Sequence, residues 1–198
     1  MPWGRLRLWE GGDGPGRLLA LHGLGGSGRY WAGLESLVGE RFRIVAPDLG
    51  GFGGSTKPRV RTDRAFHLDV LDTITADGGP WVVVGHSLGG VLAELWTGRR
   101  PERAVALAMA SSPYPEPRPT WDPSAWRGAK AAVPRTVARV ARIAWPVLSL
   151  PAQVLAPYPP GVVRDFGRQS FSSRGWTLWS LWSDPSLGVD VRAAAVAI

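Results

Sequence analysis

The chain alternates between short, continuously apolar runs and longer stretches in which apolar residues recur at helical spacing. Three runs stand out in the first half: RLLALHG from Arg17, FRIVAPD from Phe42 and WVVVGHS from Trp81. A strand covered on both faces is apolar at every position rather than at alternate ones, so these runs predict buried parallel strands. A fourth run, AVALAMASS from Ala104, has the same character with more alanine. Helical patterns lie between them, over Tyr30 to Gly39, Arg64 to Ala76 and Gly89 to Gly98. Strand and helix alternating at this pitch predict an α/β fold with a doubly wound, mostly parallel sheet. The leading RLRLWEG from Arg5 predicts an antiparallel edge strand in a hairpin.

Beyond Ser112 the texture changes. SSPYPEPRPTWDP is proline-rich, and no further strand-like run follows it. Val133, Val137, Val140 and Ala144 share one helical face while Arg135, Arg139 and Arg142 share another, which predicts an amphipathic helix. Trp176, Trp179 and Trp182 recur every third residue, as on one face of a helix, and pack a helix more readily than they line a ligand cleft with Trp121, Trp126 and Trp145. The expected organisation is therefore the N-terminal part of an α/β core over residues 1–112, a helical cap over 113–190, and the start of a return to the core over 191–198. There is no internal repeat.

A length of 198 residues suits one domain with a sizeable core, and an apolar fraction of 44% with 20% charged residues fits a globular chain. The absence of cysteine excludes disulfides, thiolate metal sites and a cysteine nucleophile. The net charge of +7 is concentrated in residues 121–198, which hold 9 basic and 4 acidic side chains. No nucleic-acid-binding motif accompanies it, so no nucleic-acid partner is expected. The amino terminus lacks the apolar core of a signal peptide and no run approaches the length of a membrane span, which makes a cytoplasmic location the expectation. The Arg135, Arg139 and Arg142 face beside Trp145 reads as a solvated face rather than a membrane contact. No metal cluster is evident, and the glycine runs lack a phosphate-binding ending, so no cofactor is expected. Nothing in the sequence speaks to oligomeric state.

The strongest chemical signal is VVVGHSLGGVLAELW, an apolar strand, then G-x-S-x-G, then a helix-forming run. A serine on so sharp a strand-to-helix turn holds its Oγ out from the sheet, and Gly85 and Gly89 let the backbone turn without a clash. Ser87 is the candidate nucleophile. The backbone N–H of Leu88, at the helix start, is placed to stabilise an oxyanion. A glycine-rich turn in LALHGLGGSGRYW follows the first strand and offers a second donor, the N–H of Leu24. His22, before that turn, reads as a residue that shapes the turn rather than as a base.

With APDLGGFGGSTKP after the second strand, the order HGLGG, PDLGGFGGS, GHSLGG resembles the α/β-hydrolase fold family, in particular its cap-bearing serine hydrolases similar to esterases, lipases and cofactor-free haloperoxidases. The resemblance covers residues 18–112 and implies a helical cap after the fourth run. It also implies covalent acyl transfer: Ser87 attacks the carbonyl of a small or lipophilic carboxylic ester while a histidine takes its proton and a carboxylate orients that histidine. Relatives that cleave carbon–halogen bonds or epoxides carry aspartate where this chain has Ser87.

In that family the order along the chain is serine, acid, histidine. Here the only histidines, His22, His67 and His86, all precede Ser87. His67 begins FHLDVLDTI and reads as a surface-helix residue, and the His86 side chain is expected to point away from its neighbour Ser87. Asp184 and Asp190 read as cap or turn residues. The chain is therefore expected to be a piece of a longer hydrolase, the favoured reading, with a catalytically inactive short form or a non-catalytic module that binds an apolar ligand as the alternatives.

Overall fold

The computed structural model describes residues 4–58, 60–112, 161–168 and 171–182, with the helical residues Ala144, Val147 and Pro151. Among the described residues five strands form one sheet: β1 (Leu8–Gly11), β2 (Gly16–Leu21), β3 (Phe42–Pro47), β4 (Trp81–His86) and β5 (Ala104–Ala110). Their order across the sheet is β1-β3-β2-β4-β5. β3, β2, β4 and β5 run parallel and β1 is antiparallel to β3. The expected strands and the doubly wound α/β architecture are thus present.

The hairpin is corrected. β1 pairs with β3, two strands on in the chain, and not with its neighbour β2. Both sides of β2 are occupied, by β3 and β4, which leaves β1 only the outer edge of β3.

The helices follow from the same pattern. Between β2 and β3 the chain makes a 3-10 helix over Gly28–Leu34 and one short turn of α-helix, α1 (Glu35–Val38). Helix α2 (Arg64–Ile74) starts at Asp63, whose carboxylate accepts the Phe66 N–H at 3.0 Å as an N-cap. Helix α3 (Leu88–Arg99) is buried along nearly its whole length, from Leu88 to Thr97, so its apolar residues do not segregate to one face. Two further helices are α4 (Val162–Phe166) and α5 (Phe171–Trp182).

The sheet separates two apolar layers. Leu19 and Leu21 of β2 point to one side, with Val83, Leu71, Leu92, Trp96 and Leu181. Leu18 and Ala20 point to the other, with Ile44, Ala46 and Trp31. Successive strand residues therefore both reach a core, which is why β2 to β4 read as apolar runs in sequence. Among the described residues β5 is an edge strand with Val105 and Met109 exposed, so the expectation that the fourth run shares the buried character of the first three is corrected: β4 pairs on one side of it and no described strand pairs on the other.

The chain winds from β2 outward to β3 and then returns to β4 and β5 on the other side of β2. The order reverses between β2 and β4, and in open α/β sheets the carboxyl ends of the strands at such a reversal frame a crevice where ligands bind.

Of the expected cap, residues 113–190, the described parts are helical: Ala144, Val147 and Pro151, and helices α4 and α5. Trp176, Trp179 and Trp182 lie on α5, as their spacing predicts, but their side chains lie outside the described residues. Val133, Val137, Val140, Arg135, Arg139, Arg142, Trp121, Trp126, Trp145, Asp184, Asp190 and the return segment 191–198 also lie outside them.

Candidate functional site

The crevice is built from the two loops that leave β2 and β4. Ser87 stands between β4 and α3 with φ 52° and ψ −120°, a left-handed conformation that a residue with a Cβ rarely adopts. Its N–H donates to the Ala110 carbonyl of β5 at 2.9 Å, and its carbonyl accepts from Gly90 N–H at 2.9 Å. Its side chain makes no capping hydrogen bond to α3. The flanking glycines are needed for close packing: a Cβ on Gly85 would collide with the Gly89 carbonyl, and one on Gly89 with the carbonyls of Leu21 and His22. Helix α3 thus starts pressed against the end of β2, with Leu88 buried as its first residue. Like any residue in the first turn of a helix, Leu88 has an N–H without an intrahelical acceptor.

The loop after β2 turns at Gly23 to Gly26, closed by Gly26 N–H to the Gly23 carbonyl at 3.0 Å, with Gly25 at φ 89°. It approaches Ser87 closely: a Cβ on Gly23 would lie 3.2 Å from the Ser87 Cβ and 2.9 Å from His86 Nδ1. A cavity of about 350 Å³ opens between the two loops, lined by Leu24, Gly25, Tyr30, His86 and Ser87 on the core side and by Val162, Val163 and Phe166 of α4 opposite. Its volume is within the range of small-molecule sites. Leu24 and Phe166 are partly exposed at its mouth.

His22 is fully buried and has both ring nitrogens occupied. Nδ1–H donates to the Gly23 carbonyl at 2.8 Å and Nε2 accepts the Leu49 N–H at 3.0 Å. The second bond fixes the neutral Nδ1–H tautomer. Burial holds its pKa below the ordinary histidine value, although the Gly23 hydrogen bond and the carboxylates of Asp48 and Asp165 pull the other way. An imidazole so engaged shapes the turn, as its place in the sequence suggests.

His67 does not lie on a helix surface, and the expectation is corrected. It is fully buried between α2 and α5, where Nε2–H donates to Thr177 Oγ1 at 2.9 Å while the Thr177 hydroxyl donates to the Thr62 carbonyl at 2.8 Å. Burial, and secondarily the nearby His22, push its pKa down to about 3. The face of α2 that carries it is covered by a helix more than a hundred residues later in the chain, a contact that periodicity in α2 does not reveal. His86 stacks on Tyr30, ring centroids 5.1 Å apart and 21° between planes, and forms part of the cavity wall. Among the described residues no hydrogen bond joins a histidine to Ser87.

Several site residues carry no readable sign in the sequence. Val162, Val163 and Phe166 reach the cavity from the expected cap. Asp48, within the PDLGGFGGS motif, is buried and accepts Gly28 N–H and Gly54 N–H, each at 2.7 Å, so it braces the glycine-rich turn from behind. The glycine spacing of that motif was the available clue to the brace. Among the described residues no cluster of His, Asp or Glu could hold a metal ion, and no helix is long and apolar enough to cross a membrane.

Comparison with known proteins agrees with this architecture. The lipase LipV of Mycobacterium tuberculosis is 38% identical over 100 residues, a match covering 50% of this chain and 38% of that protein. The pimeloyl-[acyl-carrier protein] methyl ester esterase of Chromobacterium violaceum is 34% identical over 129 residues, covering 64% of this chain and 48% of the esterase. The chain thus spans less than half the length of these curated relatives. The N-acyl homoserine lactonase AidH, solved with N-butanoyl homoserine, superposes with a TM-score of 0.65 at 20% identity over 94% of this chain and 66% of the lactonase, a likeness of fold. A sequence profile described as the alpha/beta hydrolase fold matches residues 16–142, from the first residue of β2 to well beyond β5. On that match, and on a sheet wound to either side of a strained Ser87, the chain belongs to the alpha/beta hydrolase fold family.

Proposed function

We propose that this chain carries the nucleophile half of a serine hydrolase acting on small or lipophilic carboxylic esters. The observation that carries the reading is Ser87 itself, held at φ 52° where the carboxyl ends of β2 and β4 meet and facing a largely apolar cavity. In the proposed step Ser87 Oγ forms a bond to the ester carbonyl carbon, the carbonyl π electrons move onto oxygen, and the hydroxyl proton passes to a base. The N–H groups of Leu24 and Leu88 hold the oxyanion. Collapse of the intermediate expels the alcohol with a proton and leaves an acyl-serine, which water then hydrolyses. The lipase and esterase among the curated relatives act on bonds of this kind by their names, and the apolar lining suits an uncharged acyl chain.

The base does not come from this chain's own histidines. His22 has both nitrogens bound, His67 is enclosed between helices and His86 is stacked on Tyr30. The chain alone is expected to turn over esters slowly, because a serine hydroxyl without a base is a poor nucleophile. Residues 1–112 are read as the core half and 113–190 as the cap, with α4 as the part of the cap that closes the cavity, and the expected setting is the cytoplasm.

That shortage of bases favours one second reading, a module that binds an apolar ligand in the same cavity without cleaving it. Turnover of p-nitrophenyl esters of increasing acyl length, by the protein and by Ser87→Ala, separates the two. Slow hydrolysis lost in Ser87→Ala supports the hydrolase. Saturable quenching of tryptophan fluorescence by the same esters, with hydrolysis equal in both proteins, supports the binding module.

A further inference from the structure

Behind the cavity lies a buried ionic cluster that the acyl-transfer reading leaves unused. Asp165, on α4, is fully buried. Its Oδ2 accepts from Ser27 Oγ at 3.0 Å and faces Arg7 Nη2 at 3.5 Å and Arg29 Nε at 3.7 Å, while Oδ1 faces Arg168 Nη1 at 3.4 Å. A carboxylate withdrawn from water persists in a fold only when paired and hydrogen-bonded, so a site this crowded with partners is one the structure is committed to. Arg7 also reaches Asp48 Oδ2 at 3.5 Å, joining the cluster to the core carboxylate that holds Gly28 N–H.

Ser27 is the telling partner. It is the N-cap residue of the 3-10 helix Gly28–Leu34, a position where a serine ordinarily turns its hydroxyl to a free N–H of its own helix. Here no such bond forms, and the hydroxyl is given instead to a carboxylate 138 residues further along the chain. Local capping has been exchanged for a tie between the glycine-rich turn and α4. Both ends of the tie reach the cavity, since Gly23 to Gly26 form one wall and Val162, Val163 and Phe166 the other.

We infer that Asp165 is a positioning residue: through Ser27 it fixes the shape of the turn at residues 23–27, and so the direction of the Leu24 N–H, and it couples that shape to the seating of α4. The inference rests on the reading of the turn as an oxyanion site, but its structural content stands apart from turnover. Hydrogen exchange resolved to single amides tests it in the intact chain carrying Ser27→Ala, Asp165→Asn or both. With Ser27→Ala, amides 23–28 are expected to exchange at least about tenfold faster while those of α4 keep their rates, since only the tie to the turn is cut. With Asp165→Asn both segments speed up, and adding Ser27→Ala to it brings no further rise at 23–28. The rate of phosphonylation of Ser87 by a fluorophosphonate should fall in Ser27→Ala at saturating probe while the half-saturating concentration stays unchanged, as expected when oxyanion geometry rather than cavity binding is lost. Exchange at 23–28 within twofold of the parent in both single variants overturns the inference. So does a rise of equal size in β2, β3 and β4, which would make Asp165 a general stability anchor. If the parent is not labelled at Ser87, the hydrolase reading fails while the exchange rates still decide whether Asp165 holds the turn.

Discussion

Replacing Ser87 with glycine should make the protein more stable than replacing it with alanine, the reverse of the order in a helix interior. The reason is the backbone at φ 52° and ψ −120°. A non-glycine residue held in such a sparsely populated region costs about 1–3 kcal/mol, and alanine keeps the Cβ that causes the cost. Glycine removes it. Against that gain stands the greater freedom of glycine in the unfolded chain, about 0.5–1 kcal/mol. No capping bond is lost, because the Ser87 side chain makes none to α3. The net advantage of Ser87→Gly over Ser87→Ala is therefore about 0–2.5 kcal/mol, which for a chain of this size is a melting temperature higher by up to about 10 °C. Thermal unfolding followed by circular dichroism, checked by urea titration, measures it. If Ser87→Gly melts below Ser87→Ala, the elbow is not strained and its backbone gives no sign of a turn held open for a nucleophile.

Three further outcomes follow from the packing and the buried charges. Gly89→Ala should destabilise by at least about 1–3 kcal/mol in urea unfolding, since its Cβ would meet the Leu21 and His22 carbonyls and force α3 away from β2. Asp72→Ala should cost about 1–3 kcal/mol because it strands the indole N–H of buried Trp96, which donates to Asp72 at 3.1 Å; Arg100, which donates at 2.8 and 2.9 Å, is freed to solvent. Burial works against that carboxylate, yet the Arg100 and Arg99 guanidinium groups hold its pKa below the ordinary value. For His67 the folded pKa of about 3 lies below the unfolded 6.5, so the unfolded state takes up the proton first. The His67 contribution to stability should be level above pH 6.5 and fall between there and pH 3, by up to about 1.4 kcal/mol per pH unit, and buried His22, whose pKa is also lowered, adds a fall of the same sign. His67→Gln, which can still donate to Thr177, should make that part of the profile shallower, leaving the share due to His22, and an unchanged acid slope would contradict the burial of His67.

What the sequence made legible is what local pattern encodes. Most positions of β2, β3 and β4 reach one of the two cores, so these strands read as apolar runs interrupted only near their ends, at Arg17, Arg43 and His86, and the elbow at Ser87 is written in two glycines and a strand-to-helix boundary. The edge pairing of β1 with β3 was not legible, because it depends on which sides of β2 are already taken. Nor were the burial of His67 and the cluster at Asp165, since each depends on a contact 110 or 138 residues away in the chain. A histidine in an amphipathic segment looks the same whether a later helix covers it or water does, and an aspartate in VVRDF carries no mark of the three arginines that surround it.

Whether Ser87 is a nucleophile is read from the rate of its covalent labelling by a fluorophosphonate, followed by intact mass and peptide mapping, with and without added imidazole. A slow label confined to Ser87 is expected, absent from Ser87→Ala and accelerated by imidazole acting as an added base. A protein that stays unlabelled at Ser87 with imidazole present, or is labelled no faster there than at its other serines, would contradict that role.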